Sequence, residues 1–278
     1  MNKRVLVIVV TYNGMPWLER CLSSVAGNAG VDVYVWDNDS TDGSADYVAS
    51  HFPQAKLVRS AENLGFSRPN NMGMQYALDK GYDYVYLLNQ DAWLEAGALE
   101  KLVATAEVHP EYGLLSPLQM TDGYRGLDSQ FAKCYKEKTR RVMAAHWLIP
   151  VAVIRRVGLF NEELFPHWGQ DDDWCHRLDY CGLKIGVVPE ARGVHDRACR
   201  QEGKETLIRR NYYTGSLVRL ANPKIPLWIN FLYVFAFTFV KAFKYCSLLP
   251  FKYFRTIVKQ LPQVKMHRKA SRTRIQSA

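Results

Sequence analysis

Thr11-Tyr12-Asn13, Asp37-Asn38-Asp39 and Asn89-Gln90-Asp91 each stand directly after an apolar run. In an open α/β sheet, ligands bind beyond the carboxyl ends of the strands, so polar groups at such places converge on a ligand. A carboxylate such as Asp37 accepts the N3–H donor that uracil and thymine share, which recognises a nucleotide base without telling the two apart. Thr11 and Tyr12 would line the same pocket, the tyrosine packing on the face of the base. A turn or helix cap uses the same residue types, so that reading stands beside the first for Asp37 and more so for Asp39 and Asp42.

A second cluster runs Gly169-Gln170-Asp171-Asp172-Asp173-Trp174-Cys175-His176-Arg177. Asp173 with Arg177, and Asp172 with His176, have the i,i+4 spacing of helical ion pairs. Asp171 has no such partner, and two neighbouring carboxylates raise its pKa, as a general base requires. The alternative is a set of acids favoured by a helix dipole. His195 is a lone histidine, read either as structural or as a ligand.

The elements that must position these groups alternate. Residues 4–10 are a continuous apolar run suited to a strand buried on both faces, and Asn13-Gly14 turns the chain. Trp17, Leu18, Cys21, Leu22 and Val25 recur at helical spacing, and 31–36 is a second strand ending at Asp37. A helix over 44–49, a strand at 56–58, a helix over 70–79, a strand at 84–88 and a helix over 96–108 follow. This order predicts an α/β fold, a Rossmann-like, mostly parallel sheet with helices on both faces. Beyond Gly113, residues 114–118 and 142–149 read as strands flanking a polar loop, 121–141, long enough to cover a site. Residues 63–71 bring Arg68 and a helix start towards the same rim, and both favour phosphate.

Taken in order, Val-Thr-Tyr-Asn (10–13), Trp-Asp-Asn-Asp-Ser-Thr-Asp-Gly-Ser (36–44), Asn-Leu-Gly-Phe (63–66) with Asn70-Asn71, and Leu-Leu-Asn-Gln-Asp-Ala (87–92) resemble family 2 inverting glycosyltransferases of the GT-A fold. Over about residues 4–200 the likeness is to the rhamnosyltransferase type that builds bacterial surface polysaccharides such as O-antigen, capsule and lipopolysaccharide. The resemblance implies donor contacts from Thr11, Tyr12, Asn13, Asp37, Asn38, Arg68, Asn71, Asn89 and Gln90. Asn89-Gln90-Asp91 occupies the place of the family's Asp-x-Asp, with Asn for the first Asp, which leaves Asp91 as the charged ligand of a divalent cation, Mn²⁺ or Mg²⁺. Segment 170–177 resembles Glu-Asp-x-Asp-x-x-x-Arg with Gln170 for the Glu, which makes Asp171 the counterpart of the catalytic base. His195 matches a position where many members place a histidine on the metal or diphosphate, and as an imidazole it favours Mn²⁺. The resemblance implies a nucleotide-diphosphate sugar of the dTDP or UDP type as donor, with rhamnose the sugar it favours, and a lipid-linked saccharide acceptor.

Length and charge set the remaining bounds. The 278 residues are 48% hydrophobic and 23% charged, the composition of a globular chain. The net charge of +9 is a local property, since residues 206–278 hold 14 Lys or Arg and no acid, leaving −5 on the first 205. The expected division is a catalytic domain, 1–218, and an aromatic and basic helical segment with a tail, 219–278. Residues 225–240 carry no charge but fall short of the roughly 20 apolar residues of a span. Aromatics interleaved with Lys and Arg there predict an amphipathic appendage lying in an anionic membrane surface. Helices packed on the catalytic domain are the alternative. No nucleic-acid recognition motif accompanies the basic tail. Six cysteines without metal-like spacing, and an apolar start too short for a signal peptide, predict reduced thiols and a cytoplasmic location on the inner face of the membrane. Two other functions share parts of this pattern. A sugar nucleotidyltransferase should carry a Gly-rich basic loop after its first strand, where this chain has Tyr12-Asn13-Gly14-Met15; a non-catalytic membrane scaffold needs the fold alone.

Overall fold

The computed structural model describes residues 3–136, 141–196 and 203–276. It opens with β1 (Val5–Thr11), α1 (Met15–Ser23), β2 (Val31–Asp37), α2 (Ser44–His51), β3 (Lys56–Arg59), α3 (Ser67–Lys80) and β4 (Tyr84–Asn89). There follow β5 (Ala92–Leu94), α4 (Ala98–Val108), β6 (Tyr112–Met120), α5 (Ser129–Lys136), β7 (His146–Pro150), α6 (Val151–Val157), α7 (Gln170–Tyr180) and β8 (Lys184–His195). Helices α8 (Lys204–Ile208), α9 (Gly215–Ala221), α10 (Leu227–Tyr245), α11 (Leu249–Lys259) and α12 (Leu261–Gln276) complete the described chain.

One sheet has the order β3-β2-β1-β4-β7-β6-β8-β5. Its first half is parallel, with β1 between β2 and β4. Beyond β4 it is mixed, because β7 runs antiparallel to β4 and to β6 while β8 is parallel to β6. The strands are buried on both faces, so alternate residues feed two cores. Val5, Val7 and Val9 point into one with α1, α2 and α4; Leu6 and Ile8 point into the other with α3, α6 and α7. The chain steps from β1 outward to β3 and then returns to the other side of β1 as β4. That reversal opens a crevice between the ends of β1 and β4, the place where such folds bind ligands.

A third apolar cluster joins Leu164 and Phe165 to Tyr212, Leu217, Val234, Ile257 and Val264. The C-terminal helices therefore pack on the segment that leads into α7. A part-buried hydrogen bond strengthens the contact: His267 Nε2 of α12 lies 2.8 Å from Asp173 Oδ1. Expected strands and helices recur with shifted ends. The loop predicted over 121–141 contains α5, and its residues 137–140 lie outside the described residues.

Candidate active site

The carboxyl ends of β1 and β2 are stitched into one surface by side chains. Asn13 N–H donates to Ser40 Oγ at 3.0 Å, and its Oδ1 accepts from Thr41 N–H at 2.9 Å. Gly14 N–H donates to Ser44 Oγ at 2.9 Å, and Met15 N–H to Asp42 Oδ2 at 3.0 Å. Asp42 thus serves the turn, as the capping reading anticipated. Asn13 and Asp39 adopt positive φ, a conformation Asn and Asp tolerate better than most residues.

Asp37 is 3% exposed at the end of β2. Its Oδ2 accepts from Ser40 N–H at 3.1 Å, whereas Oδ1 is buried with no hydrogen-bond partner among the described residues. A buried carboxylate oxygen left unpaired costs free energy unless a ligand donor meets it. Tyr12, 48% exposed, stands on the rim nearby. Thr11 is fully buried and gives its hydroxyl proton to Gln90 Oε1 at 2.9 Å. Gln90 also accepts from Tyr12 N–H at 2.8 Å and returns Nε2–H to Tyr12 O, so it clamps the end of β4 to the end of β1.

Asn38 uses both ends of its amide on the next loop, donating to Asn63 Oδ1 and Gly65 O and accepting from Leu64 N–H. It positions the site's wall. Arg68 is exposed in the first turn of α3. Asn71 is committed elsewhere: its Nδ2 donates to Phe160 O and Glu162 Oε2, and its Oδ1 accepts from Phe160 N–H. That amide fixes α3 against segment 160–162.

Strand β5 is too short to be read from pattern, yet it brings Asp91 to His195. Ala92 pairs with His195 across the β5–β8 ladder, and Asp196 N–H donates to Asp91 O at 2.8 Å. Asp91 Oδ1 and His195 Nε2 lie 3.4 Å apart, both nearly buried. Two ligands on one small cation, each at about 2.1 Å, have that kind of separation. Asn89 Oδ1, at the end of β4, is buried with no partner among the described residues. A group of three His, Cys, Asp or Glu ligands is absent among the described residues, and Asp91 with His195 supplies two.

Two residues behind this pair escaped the reading of the sequence. His146 is fully buried, sits between Tyr86 OH and Val194 O, and burial pushes its pKa down to about 3, so it is neutral. Asp196 accepts from Trp17 Nε1 at 2.9 Å. Only the second had a local signal, an acid directly after His195 at a strand end.

Two chain segments tie the start of α7, with Asp171, to the ends of β4 and β3. Asn89 N–H bonds Ala145 O, and the chain runs back from there past Val142 to Arg141, whose guanidinium holds Asp172 at 2.9 Å. Four residues reach at most about 14 Å. From the other side, Phe66 and Ser67 N–H groups donate to Pro166 O, tying the loop after β3 to the entry of α7. Gly65 permits this at φ +80°, where a Cβ would stand 2.7 Å from Pro166 O. Burial and the like charge of Asp172 push the Asp171 pKa up to about 7. Asp173 pairs with Arg177 as expected, at 2.9 Å. The expected Asp172–His176 pair does not form, because Arg141 takes Asp172.

A sheet of this order, with polar groups at its switch point, is that of the GT-A glycosyltransferase fold. The model for glycosyl transferase family 2 matches residues 6–153, and the chain belongs to this family. It is rhamnosyltransferase-like: it is 33% identical over 233 residues to an N-acetylglucosaminyl-diphospho-decaprenol L-rhamnosyltransferase of Mycobacterium tuberculosis, covering 69% of this chain and 76% of that one. It is 22% identical to the dTDP-rhamnosyl transferase RfbF of Shigella flexneri, over 83% of this chain and 84% of the relative. Among solved structures, the mannosyltransferase PcManGT of Pyrobaculum calidifontis in complex with GDP-Man and Mn²⁺ has a TM-score of 0.57 and 21% identity, covering all of this chain and 76% of that one. Family membership decides against the sugar nucleotidyltransferase.

Proposed function

We propose that this glycosyltransferase moves a sugar, rhamnose, from a dTDP- or UDP-type donor to a lipid-linked saccharide in cell-surface polysaccharide synthesis, with inversion at the anomeric carbon. The observation that carries the reading is the buried Asp37 Oδ1, unpaired among the described residues, at the end of β2 together with the Asp91–His195 pair just beyond the end of β4, and Asp171 is read as facing the same cleft. Asp37 Oδ1 accepts the N3–H of the base while Tyr12 packs on its face. Asp171, with a pKa near neutrality, takes the proton of the acceptor hydroxyl as that oxygen attacks the anomeric carbon. Asp91 and His195 hold a divalent cation, Mn²⁺ or Mg²⁺. When bound, the cation neutralises charge on the departing diphosphate. Arg68 reaches the same phosphates. The two rhamnosyltransferase relatives support the donor sugar, the mycobacterial one a lipid diphosphate acceptor, and the Mn²⁺ in PcManGT the cation.

The segment 219–278, with its bases and exposed aromatics, keeps the enzyme on the inner face of the membrane, beside a lipid-borne acceptor. The test is transfer from a panel of dTDP- and UDP-sugars to N-acetylglucosaminyl-diphospho-prenol, with and without Mn²⁺, with the product anomer read by NMR. The expected result is Mn²⁺-stimulated transfer from dTDP-rhamnose with inverted configuration. Transfer from no donor, or a retained configuration, overturns the proposal.

A further inference from the structure

Helix α10 touches the protein through a mixed face, with Val234, Phe231 and Phe237 packed on the third core beside polar Asn230 and Thr238, and its outer line is apolar. On its inner side Asn230, fully buried, donates to Arg219 O at 2.6 Å, and buried Thr238 shares a 2.7 Å bond with Tyr212 OH. Its outer line is Trp228, Leu232, Phe235, Phe239 and Phe243, spaced by four and three residues and 49–88% exposed. A helix that faces water carries polar residues on its outer side. This line is about 22 Å long by helical rise, far more apolar surface than scattered side chains leave.

At the line's N-terminal end, Pro226 and Leu227 form one wall of a groove of about 580 Å³. The other wall is α12, with Lys265, Arg268, Lys269 and Arg272, and among the described residues no carboxylate lines the groove. Arg268 is occupied with the carbonyls of Leu220, Asn222 and Ile225, which close the turn into α10. Arg272 donates to Pro223 O at 2.9 Å and, like Lys265 and Lys269, remains exposed. Cations that converge beside an apolar helix have the order of a membrane surface, phosphate above and acyl chain below. Trp228 stands at the lip between them, where an indole is favoured.

We infer that the groove seats the phosphate of an anionic phospholipid while the outer line of α10 lies flat in the headgroup–acyl boundary. The inference rests on the membrane-associated reading above and assigns its site. By length and composition α10 is able to cross a bilayer. A crossing orientation would break the Asn230 and Thr238 bonds that hold its inner side on the protein, whereas a flat one keeps both.

The test is sedimentation of the full chain with phosphatidylcholine vesicles, alone or rich in phosphatidylglycerol. Each cation near an anionic surface raises partition about fivefold, so K265Q/K269Q/R272Q should weaken binding to the anionic vesicles roughly a hundredfold. The control K56Q/K80Q/K184Q removes equal charge from the catalytic domain and should change it little. Leu232→Ser with Phe243→Ser, both at exposed sites, should weaken binding and leave its salt dependence intact. Equal loss in control and groove variants overturns the groove while membrane association stands. Unchanged binding by the serine variant overturns the flat insertion, and wild-type protein that stays in the supernatant overturns both readings.

Discussion

Replacing Asp171 by Asn should slow transfer and, at alkaline pH, raise the melting temperature in the same protein. The Asp171 pKa is raised from 3.8 to about 7, first by burial and then by Asp172. Three units at about 1.4 kcal/mol each set an upper bound of about 4 kcal/mol on what the charged carboxylate costs the folded state. The sign follows from linkage. Between about pH 4 and 7 the unfolded chain releases this proton and the folded protein keeps it, so stability falls as pH rises and levels off above 7. The substituted asparagine cannot ionise, and its side-chain oxygen still accepts the Asp172 N–H that Asp171 Oδ1 accepts at 2.9 Å. The variant should match wild type near pH 4 and melt higher near pH 8, by about 2 to 4 °C for each kcal/mol recovered. Its kcat should fall about 10²- to 10⁴-fold, while wild-type kcat rises through about pH 7. A variant that melts lower than wild type near pH 8, or transfers at the wild-type rate, refutes the assignment of Asp171 as a buried, strained base.

Asp37→Asn replaces the charged acceptor proposed to meet the base, a contact worth about 1.5–3 kcal/mol, so donor KM should rise roughly 10- to 150-fold with kcat within a few fold; steady-state kinetics against donor concentration checks the split. His195→Ala should raise the Mn²⁺ concentration for half-maximal activity roughly tenfold or more, and an unchanged Mn²⁺ titration removes His195 from the cation. Gly14→Ala tests the clamp between β1 and β4. Gly14 has an ordinary φ of −97°, so the cost is steric: a Cβ would sit 2.3 Å from Thr11 Oγ1 and 2.8 Å from Gln90 Oε1. Denaturant unfolding should show a loss of about 1–3 kcal/mol.

The parallel half of the sheet was legible because β1, β2 and β4 are apolar along most of their length and end abruptly in polar triplets. The three-residue β5 has no pattern to read, and its partner β8 is a hundred residues away, so the closeness of Asp91 and His195 rested on resemblance alone. Local spacing gave the Asp173–Arg177 pair correctly, since both lie on one helix face. The same rule failed for Asp172, where a guanidinium thirty-one residues back in the chain competes with a histidine one turn away and wins. Amides were the hardest to assign. Asn38, Asn71 and Gln90 all looked ready for a ligand, yet a side-chain amide satisfies loop backbone equally well, and nothing in composition separates the two uses.

The acids 171–173 argue most clearly that environment, and not residue type, distributes the roles. Asp171 is half-buried, and burial and the charge of Asp172 outweigh Arg141 and push it up to about 7. Asp172 reaches the surface and anchors Arg141. Asp173 is buried more completely still, which alone would raise its pKa, but Arg177 and His267 outweigh burial and hold it at about 2. A proton acceptor working near neutral pH needs the first environment, and a fixed charge that orients the helix needs the third. His267 comes from α12, so the helix that lines the proposed lipid groove also hydrogen-bonds the acid two residues from Asp171. Taking one partner from a buried ion pair leaves a charge uncompensated and costs far more than an exposed pair is worth. The C-terminal helices are thus tied to α7 by a part-buried hydrogen bond as well as by packing, and that tie helps keep Asp173 charged two residues from the proposed base.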